Sequence, residues 1–279
     1  MTTLESFITQ ALAEDIGPGD YTALACIPES AVGKAVLLVK DAGILAGVEV
    51  AQQVVKQVDP TLEMEIFIND GTPVIPGDKA FTISGSSRSI LAAERLLLNC
   101  MQRMSGIATI ANRLQSILTP YGCRILDTRK TTPNMRMLEK WAVRIGGGTN
   151  HRMGLYDMMM IKDNHIDYAG GIRQAIEKAN AYIRENGLDI KIEIEARDHN
   201  ELDQILETGN VHRIMLDNFS IPDMISGVAK IGGKYETEAS GGITEATIAD
   251  YAKTGVNFIS VGALTHSVKS LDLSLKAVQ

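Results

Sequence analysis

The chain has 279 residues, 45% of them apolar and 22% charged, enough to bury one large core or two ordinary ones; a disordered or fibrous protein is excluded. Lys and Arg number 27 against 34 Asp and Glu, and the net charge of −7 argues against a general nucleic-acid binder. No segment approaches the roughly 20 apolar residues of a membrane span, the first residues lack a basic-then-apolar leader, and Cys26, Cys100 and Cys123 are too scattered for a disulfide framework or a zinc site, so a soluble cytoplasmic protein is expected.

In chain order, Leu4 to Glu14 reads as an amphipathic helix. Strand-like runs follow at Lys34 to Lys40, Leu62 to Ile68 and Phe81 to Ser84, punctuated by Asp70-Gly71 and Pro76-Gly77-Asp78. A long helix is expected from about Ser89 to Leu118, with Leu96, Leu97, Met101, Met104 and Ile107 along its apolar side. From about residue 122 strands and helices alternate, the pattern of a parallel sheet. The strands are expected at Arg124 to Thr128, Met158 to Lys162, Ile190 to Glu195, Ile214 to Asp217, Tyr235 to Ser240 and Phe258 to Gly262. Helices are expected between them at Gly171 to Glu185, Asn200 to Glu207, Ile221 to Ala229 and Thr244 to Thr254. Six strands fall short of the eight of a closed α/β barrel.

Charge is distributed unevenly along this layout. Residues 129 to 163 hold seven cations and three anions, a local +4 that leaves −11 elsewhere. Gly146-Gly147-Gly148 and Asn150-His151-Arg152 interrupt the stretch, which suggests backbone approaching an anionic ligand rather than one solvated helix face. The C-terminal strand ends, where α/β barrels place their chemistry, read Arg129-Lys130, Lys162, Glu195, Asp217, Ser240-Gly241-Gly242 and Gly262. This is an anion site with carboxylates able to hold a metal ion. Taken singly, Lys130 and Lys162 are equally readable as surface lysines or as a Schiff-base nucleophile, and Glu195 and Asp217 as their structural ion partners. Ser240-Gly241-Gly242, ahead of a helix start at Thr244, is either an ordinary turn or a phosphate cradle backed by a helix dipole. His151, His165 and His266 show no metal-ligand spacing, and Met158-Met159-Met160 reads as core packing.

Several ordered blocks carry a resemblance. Asp127-Thr128-Arg129-Lys130-Thr131-Thr132-Pro133, Gly146-Gly147-Gly148-Thr149-Asn150-His151-Arg152 and Ile161-Lys162-Asp163-Asn164-His165 resemble the quinolinate phosphoribosyltransferases, the carboxylating nicotinate-nucleotide pyrophosphorylases of NAD biosynthesis. Further blocks extend it over nearly the whole chain: Glu14 to Thr22, Glu94-Arg95 with Asn99, Ser105 to Thr109, Leu216 to Phe219, Ser240 to Gly242 and Val261 to Ser267.

The resemblance implies an N-terminal α/β sandwich domain over residues 1–108, joined by the tail 266–279, and an incomplete six-stranded α/β barrel over 109–265. It implies conversion of quinolinate and phosphoribosyl pyrophosphate to nicotinate mononucleotide, pyrophosphate and CO2. Arg129, His151, Arg152 and Lys162 would clamp quinolinate, with Arg95 reaching in from a partner subunit of a homodimer or larger assembly. Lys130 would touch both substrates, while Glu195 and Asp217 would hold ribose hydroxyls and Mg2+ and act catalytically. Ser240, Gly241, Gly242 and Gly262, with Lys162 and His266 nearby, would complete the phosphoribosyl pyrophosphate site. Three other readings remain at this stage: a related type II pyrophosphorylase acting on another ring, a Schiff-base aldolase, and a non-catalytic phosphate-ligand sensor.

Overall fold

The structure is a computed structural model that describes residues 3–278. It divides into two compact units. One comprises the chain up to Asn112, Thr131–Gly147 and the segment from Leu264 onward, and the other comprises Arg113–Lys130 and Gly148–Ala263. Residues 131–147, within the span 109–265 expected for the barrel, pack with the first unit.

The first unit holds strands β1 (Val32–Val39), β2 (Gly43–Ile44), β3 (Glu63–Ile66), β4 (Pro73–Val74) and β5 (Lys79–Ser86). The second holds β6 (Arg124–Leu126), β7 (Met158–Ile161), β8 (Lys191–Ala196), β9 (Arg213–Asp217), β10 (Glu236–Ser240) and β11 (Phe258–Ser260); β12 (Leu273–Val278) returns to the first.

In the first unit β12, β1, β5 and β3 form an antiparallel sheet in that order. The central strands are buried in continuous runs, Ala35, Val36 and Leu37 in β1 and Ala80, Phe81, Thr82 and Ile83 in β5, so both faces of the sheet are covered there. The tail strand β12, unread from the sequence although Leu271, Leu273, Leu275 and Ala277 alternate with polar residues, is held at its start by the long helix Ser87–Leu118. There Gln102 accepts from the Leu271 amide at 3.0 Å through its backbone carbonyl and donates from Nε2 to the Leu273 carbonyl at 2.9 Å. Gly106 permits the approach, because a Cβ there would lie 2.3 Å from the Lys269 carbonyl oxygen. Side-chain caps start the shorter helices: Thr3 accepts from the Ser6 amide at 3.1 Å and Asp20 from the Ala23 amide at 3.0 Å.

The second unit is a six-stranded parallel sheet in the order β6-β11-β10-β9-β8-β7. Continued past its edges this is the cyclic order of an α/β barrel, broken between β6 and β7, where a lone parallel bridge joins Leu126 to Thr149. The mixed α/β class and the strand count expected from the sequence both hold. Three local expectations are corrected. β6 stops at Leu126 because the next residue, Asp127, turns its carboxylate to residues 150 and 151. Met158-Met159-Met160 is half-buried rather than core, because β7 is an edge strand. The last barrel helix begins at Ile248, not Thr244: residues 244–247 form a turn in which the Thr247 hydroxyl takes the Thr244 amide at 3.0 Å and the Thr244 carbonyl takes the Ile248 amide at 2.9 Å. The short helix Asp163–Ala169 directly after Lys162 gave no periodic signal of its own. Among the described residues no helix is long and apolar enough to cross a membrane.

Candidate active site

The strand ends of the second unit gather the charged groups. β7 runs out at Lys162, whose ammonium pairs with the Glu195 carboxylate at the end of β8. Burial pushes the Glu195 carboxyl upward, opposed by the Lys162 contact and reinforced by the negative charge of Asp217 on the neighbouring strand. Asp217 is itself held at both oxygens: the Ser240 hydroxyl at the end of β10 donates to Oδ1, and the Asn218 side chain donates to Oδ2 at 2.8 Å. Lys162–Glu195 and Asp217–Ser240 thus form two pairs on four neighbouring strands, with Glu195 and Asp217 near enough for their charges to oppose each other. Lys130, past the end of β6, has its amide tied to the Thr128 hydroxyl at 3.0 Å.

Ser240-Gly241-Gly242 closes this rim. Gly241 has φ +96, and a Cβ there would stand 2.2 Å from the Asn218 Oδ1 atom, so no other residue fits the turn. Gly242 has φ +61 and open space where a side chain would be. With the following helix starting only at Ile248, the turn rests on its own main-chain N–H groups and not on a helix dipole as the sequence suggested.

A loop supplies the cationic wall. Asp127, fully buried, accepts from the His151 amide at 2.8 Å and from the Asn150 side chain. Arg152 follows, buried, with its guanidinium donating to the Met158 carbonyl at 3.3 Å and lying 3.7 Å from the Met160 sulfur. Burial and the nearby Arg129 guanidinium lower its pKa, the signature of two cations converging where an anion would relieve both.

Behind the rim lies a charged layer that sequence reasoning passed over. Glu193 and Glu238 point inward from β8 and β10, both with 0% exposure. Arg213 on β9 reaches Glu238 at 3.1 Å, Glu236 at 3.2 Å and Glu193 at 3.7 Å, and stacks 4.1 Å over the Phe258 ring. The His151 Nε2 atom lies 3.0 Å from Glu193 and 3.5 Å from Glu238. Burial opposes a charged ring while the facing Glu193 and Glu238 favour one, and burial with the facing Glu238 pushes the Glu193 carboxyl upward, so the cluster holds on to a proton. Although burial works the other way, His151, Arg213 and Ser260 hold Glu238 below its ordinary range. Local geometry decides where the retained proton sits. Nδ1 of His151 accepts from the Arg152 amide at 2.7 Å, so the proton belongs on the Nε2 and carboxyl side. Ligand atoms of His151, Glu193 and Glu238 lie within 4.8 Å of one another, yet Arg213 already supplies the positive charge a metal ion would bring. The signal for this layer was the alternation Lys191-Ile192-Glu193-Ile194-Glu195, which sets two carboxylates on one face of a barrel strand.

The second unit contains Lys130, His151, Arg152, Lys162, Glu195, Asp217, Ser240, Gly241, Gly242 and Gly262; contacts join Lys162 to Glu195 and Asp217 to Ser240, and Arg129 and Glu195 act electrostatically on Arg152. Arg95 and His266 belong to the first unit. Arg95 is exposed on the long helix and makes no ion pair among the described residues; His266 is exposed, its Nδ1 2.7 Å from the Ser267 hydroxyl. In that unit Arg103 donates to the fully buried Glu139 at 2.8 Å and to the Thr265 carbonyl, while Glu139 also takes the Thr132 amide at 3.1 Å. Sequence reasoning missed this anchor of the segment after Lys130, since neither residue stands at a strand end.

Residues 20–105 match the family described as quinolinate phosphoribosyl transferase, N-terminal domain, and residues 107–276 match its C-terminal domain. The chain is 46% identical over 288 aligned positions to quinolinate phosphoribosyltransferase [decarboxylating] 1b of Nicotiana tabacum, covering 98% of this chain and 82% of that protein. It is 40% identical to a probable nicotinate-nucleotide pyrophosphorylase [carboxylating] of Bacillus subtilis, covering 98% and 92%. Among solved structures, NadC from Streptococcus pyogenes superposes with a TM-score of 0.93 at 37% identity, covering 99% of this chain and 97% of that one. With both domain families matched in order and relatives alike over nearly their full length, this chain belongs to the quinolinate phosphoribosyltransferase family.

Proposed function

We propose that this protein converts quinolinate and phosphoribosyl pyrophosphate to nicotinate mononucleotide, pyrophosphate and CO2. The observation that carries the reading is the rim itself: a cationic wall, two neighbouring carboxylates and a glycine cradle stand at consecutive barrel strand ends of a family member. Quinolinate brings two carboxylates and its co-substrate a 5′-phosphate and a pyrophosphate, so one site must neutralise several negative charges.

In this reading Arg129, Arg152 and Lys162 hold the pyridine dicarboxylate, Arg152 with guanidinium N–H groups left over from its contacts to β7. The amides of Gly241 and Gly242, with Ser240 and Gly262, seat the 5′-phosphate. Held in line, the ring nitrogen attacks C1 of the ribose as pyrophosphate departs. Positive charge builds on the ribose, and the Glu195 and Asp217 carboxylates stand where they stabilise it. Lys130 neutralises the departing pyrophosphate. The N–C1 bond leaves a pyridinium, which accepts the electron pair released when the carboxylate next to nitrogen leaves as CO2, and the ring carbon then takes up a proton.

Glu195 and Asp217 also suit a hard divalent cation, since they offer oxygen donors on adjacent strands and retain lone pairs beside their contacts to Lys162, Ser240 and Asn218. Mg2+ arriving on phosphoribosyl pyrophosphate would neutralise the phosphate oxygens there. We further propose a homodimer in which Arg95 of the partner subunit completes the quinolinate site, supported by its exposure on the long helix. A reducing cytoplasm agrees with three cysteines that form no disulfide. The test of the activity is chromatographic: quinolinate consumed with accumulation of nicotinate mononucleotide, only when phosphoribosyl pyrophosphate and Mg2+ are both present. Turnover of a different pyridine with quinolinate untouched would favour the related-pyrophosphorylase reading.

A further inference from the structure

We propose that a cavity at the floor of the barrel, at the opposite ends of the strands from the rim, is a second anion site, which takes a sugar phosphate on Lys191, His212, Lys234 and Asn257. It lies where β8, β9, β10 and β11 begin, and it stands independently of the quinolinate reading.

The cavity has a volume of about 540 Å3, room for a small organic ligand. Residues at this end of an α/β barrel ordinarily serve stability. Here, however, the acceptor atoms of the polar side chains are already taken and their donors are left over. His212 Nδ1 accepts from the Ile192 amide at 2.9 Å, so the ring proton sits on Nε2. Asn257 Oδ1 accepts from the Thr237 amide at 2.8 Å and from the Thr237 hydroxyl at 3.0 Å, which leaves the Nδ2 amino group to donate. Both residues are exposed. Lys191 and Lys234 add two ammonium groups, the first 3.7 Å from Glu236 and the second 5.3 Å from the centre of the Tyr235 ring. Glu236 lines the cavity too, but Arg213 engages its Oε2 at 3.2 Å, and Oε1 remains to accept a hydroxyl. At Gly233, φ +74, nothing lies within 4 Å of where a side chain would begin, so the turn ahead of Lys234 leaves the space open. Two ammonium groups match the charge of a phosphate monoester, about −2 at neutral pH, whereas one carboxylate would leave a cation over. The room beyond a single phosphate and the remaining Glu236 oxygen favour an ester that carries hydroxyls over the bare ion.

Spectra of protein labelled with 15N at histidine test this, the His212 ring being assigned by its absence in His212→Asn. Ribose 5-phosphate is expected to shift the His212 Nε2 resonance along a saturable curve at millimolar concentrations, and inorganic phosphate to do so more weakly. In the double variant Lys191→Ala/Lys234→Ala, both Kd values should rise about ten- to a hundred-fold, the loss of at least one charge-assisted hydrogen bond. Asn257→Asp, which keeps Oδ1 for Thr237 and removes the donor, should weaken binding in the same direction without the loss of either lysine. Gly242→Ala, a change at the rim, should leave the His212 curves as in wild type, so that binding at the two ends of the barrel is read separately. A His212 resonance that does not move, a shift that never saturates, or a Kd unchanged in the double variant overturns the proposal. Sulfate binding as tightly as ribose 5-phosphate would show an adventitious ion only and overturn it as well. Quinolinate turnover enters none of these readings, so failure of the activity assay would leave this test intact.

Discussion

Replacing Gly241 and Gly242 separately by alanine separates what holds the cradle from what it seats. At Gly241 the methyl group would fall 2.2 Å from Asn218 Oδ1 and 2.9 Å from the Asn218 amide nitrogen, with the backbone at φ +96. Both the overpacking and the strained backbone cost about 1–3 kcal/mol, so the barrel should lose about 2–6 kcal/mol. At Gly242 the backbone sits at φ +61 with nothing within 4 Å of the new methyl, and only the left-handed penalty of about 1–2 kcal/mol applies. At about 2–4 °C per kcal/mol, that variant should melt roughly 2–8 °C below wild type. Its catalytic defect should be larger than its stability defect. A methyl group in the open space beside the cradle amides displaces a phosphate oxygen from a charge-assisted hydrogen bond worth about 1.5–3 kcal/mol, a rise of roughly ten- to a hundred-fold in KM for phosphoribosyl pyrophosphate. KM for quinolinate should move little. Thermal melts followed by steady-state kinetics on both variants check this. Equal stability of the two variants would refute the packing argument, and an unchanged KM in Gly242→Ala would refute the phosphate seat.

Four further outcomes are expected. Arg103→Leu leaves the fully buried Glu139 without its guanidinium and should cost about 3–5 kcal/mol in denaturant titration; a loss below 1 kcal/mol would show the contact to be dispensable. A thiol reagent at pH 8 should label native protein at the exposed Cys26 alone, since burial pushes Cys100 and Cys123 up to about 12, and all three should react in denaturant. Excess EDTA should abolish turnover and added Mg2+ restore it, while full activity in EDTA would leave Glu195 and Asp217 to act through charge alone. Mixing Arg95→Ala with Lys130→Ala after proven subunit exchange should recover partial activity if the site is shared between chains, and no activity if it is not.

The rim was legible in the sequence because its chemistry stands at one-dimensional landmarks: Lys162 and Asp217 each end an apolar run, Glu195 and Ser240 stand at or near the ends of strands in the same repeat, and Gly241 marks a turn only glycine can make. The layer behind it was hidden for the opposite reason. Glu193, Arg213 and Glu238 lie inside strands, where a charged residue alternating with apolar ones reads as solvent-facing, and only closure of the sheet turns that face inward. Glu139 was likewise read as one charge among many on a cationic stretch, though its partner Arg103 is 36 residues away. At the last barrel helix Thr244 opens a turn, its amide held by the Thr247 hydroxyl and its carbonyl by the Ile248 amide, before regular helix begins at Ile248. β12 was missed although Leu271, Leu273, Leu275 and Ala277 alternate with polar residues, because its partner β1 lies at the other end of the chain and no turn joins the two.

The most direct test of the central claim follows the two carboxylates of quinolinate separately. With 14C in the carboxylate beside the ring nitrogen, one CO2 should be released for each nicotinate mononucleotide formed, and none without phosphoribosyl pyrophosphate. With 14C in the other carboxylate, all label should stay in the mononucleotide. Mononucleotide formed with both carboxylates retained, or CO2 released without glycosyl transfer, would contradict the account.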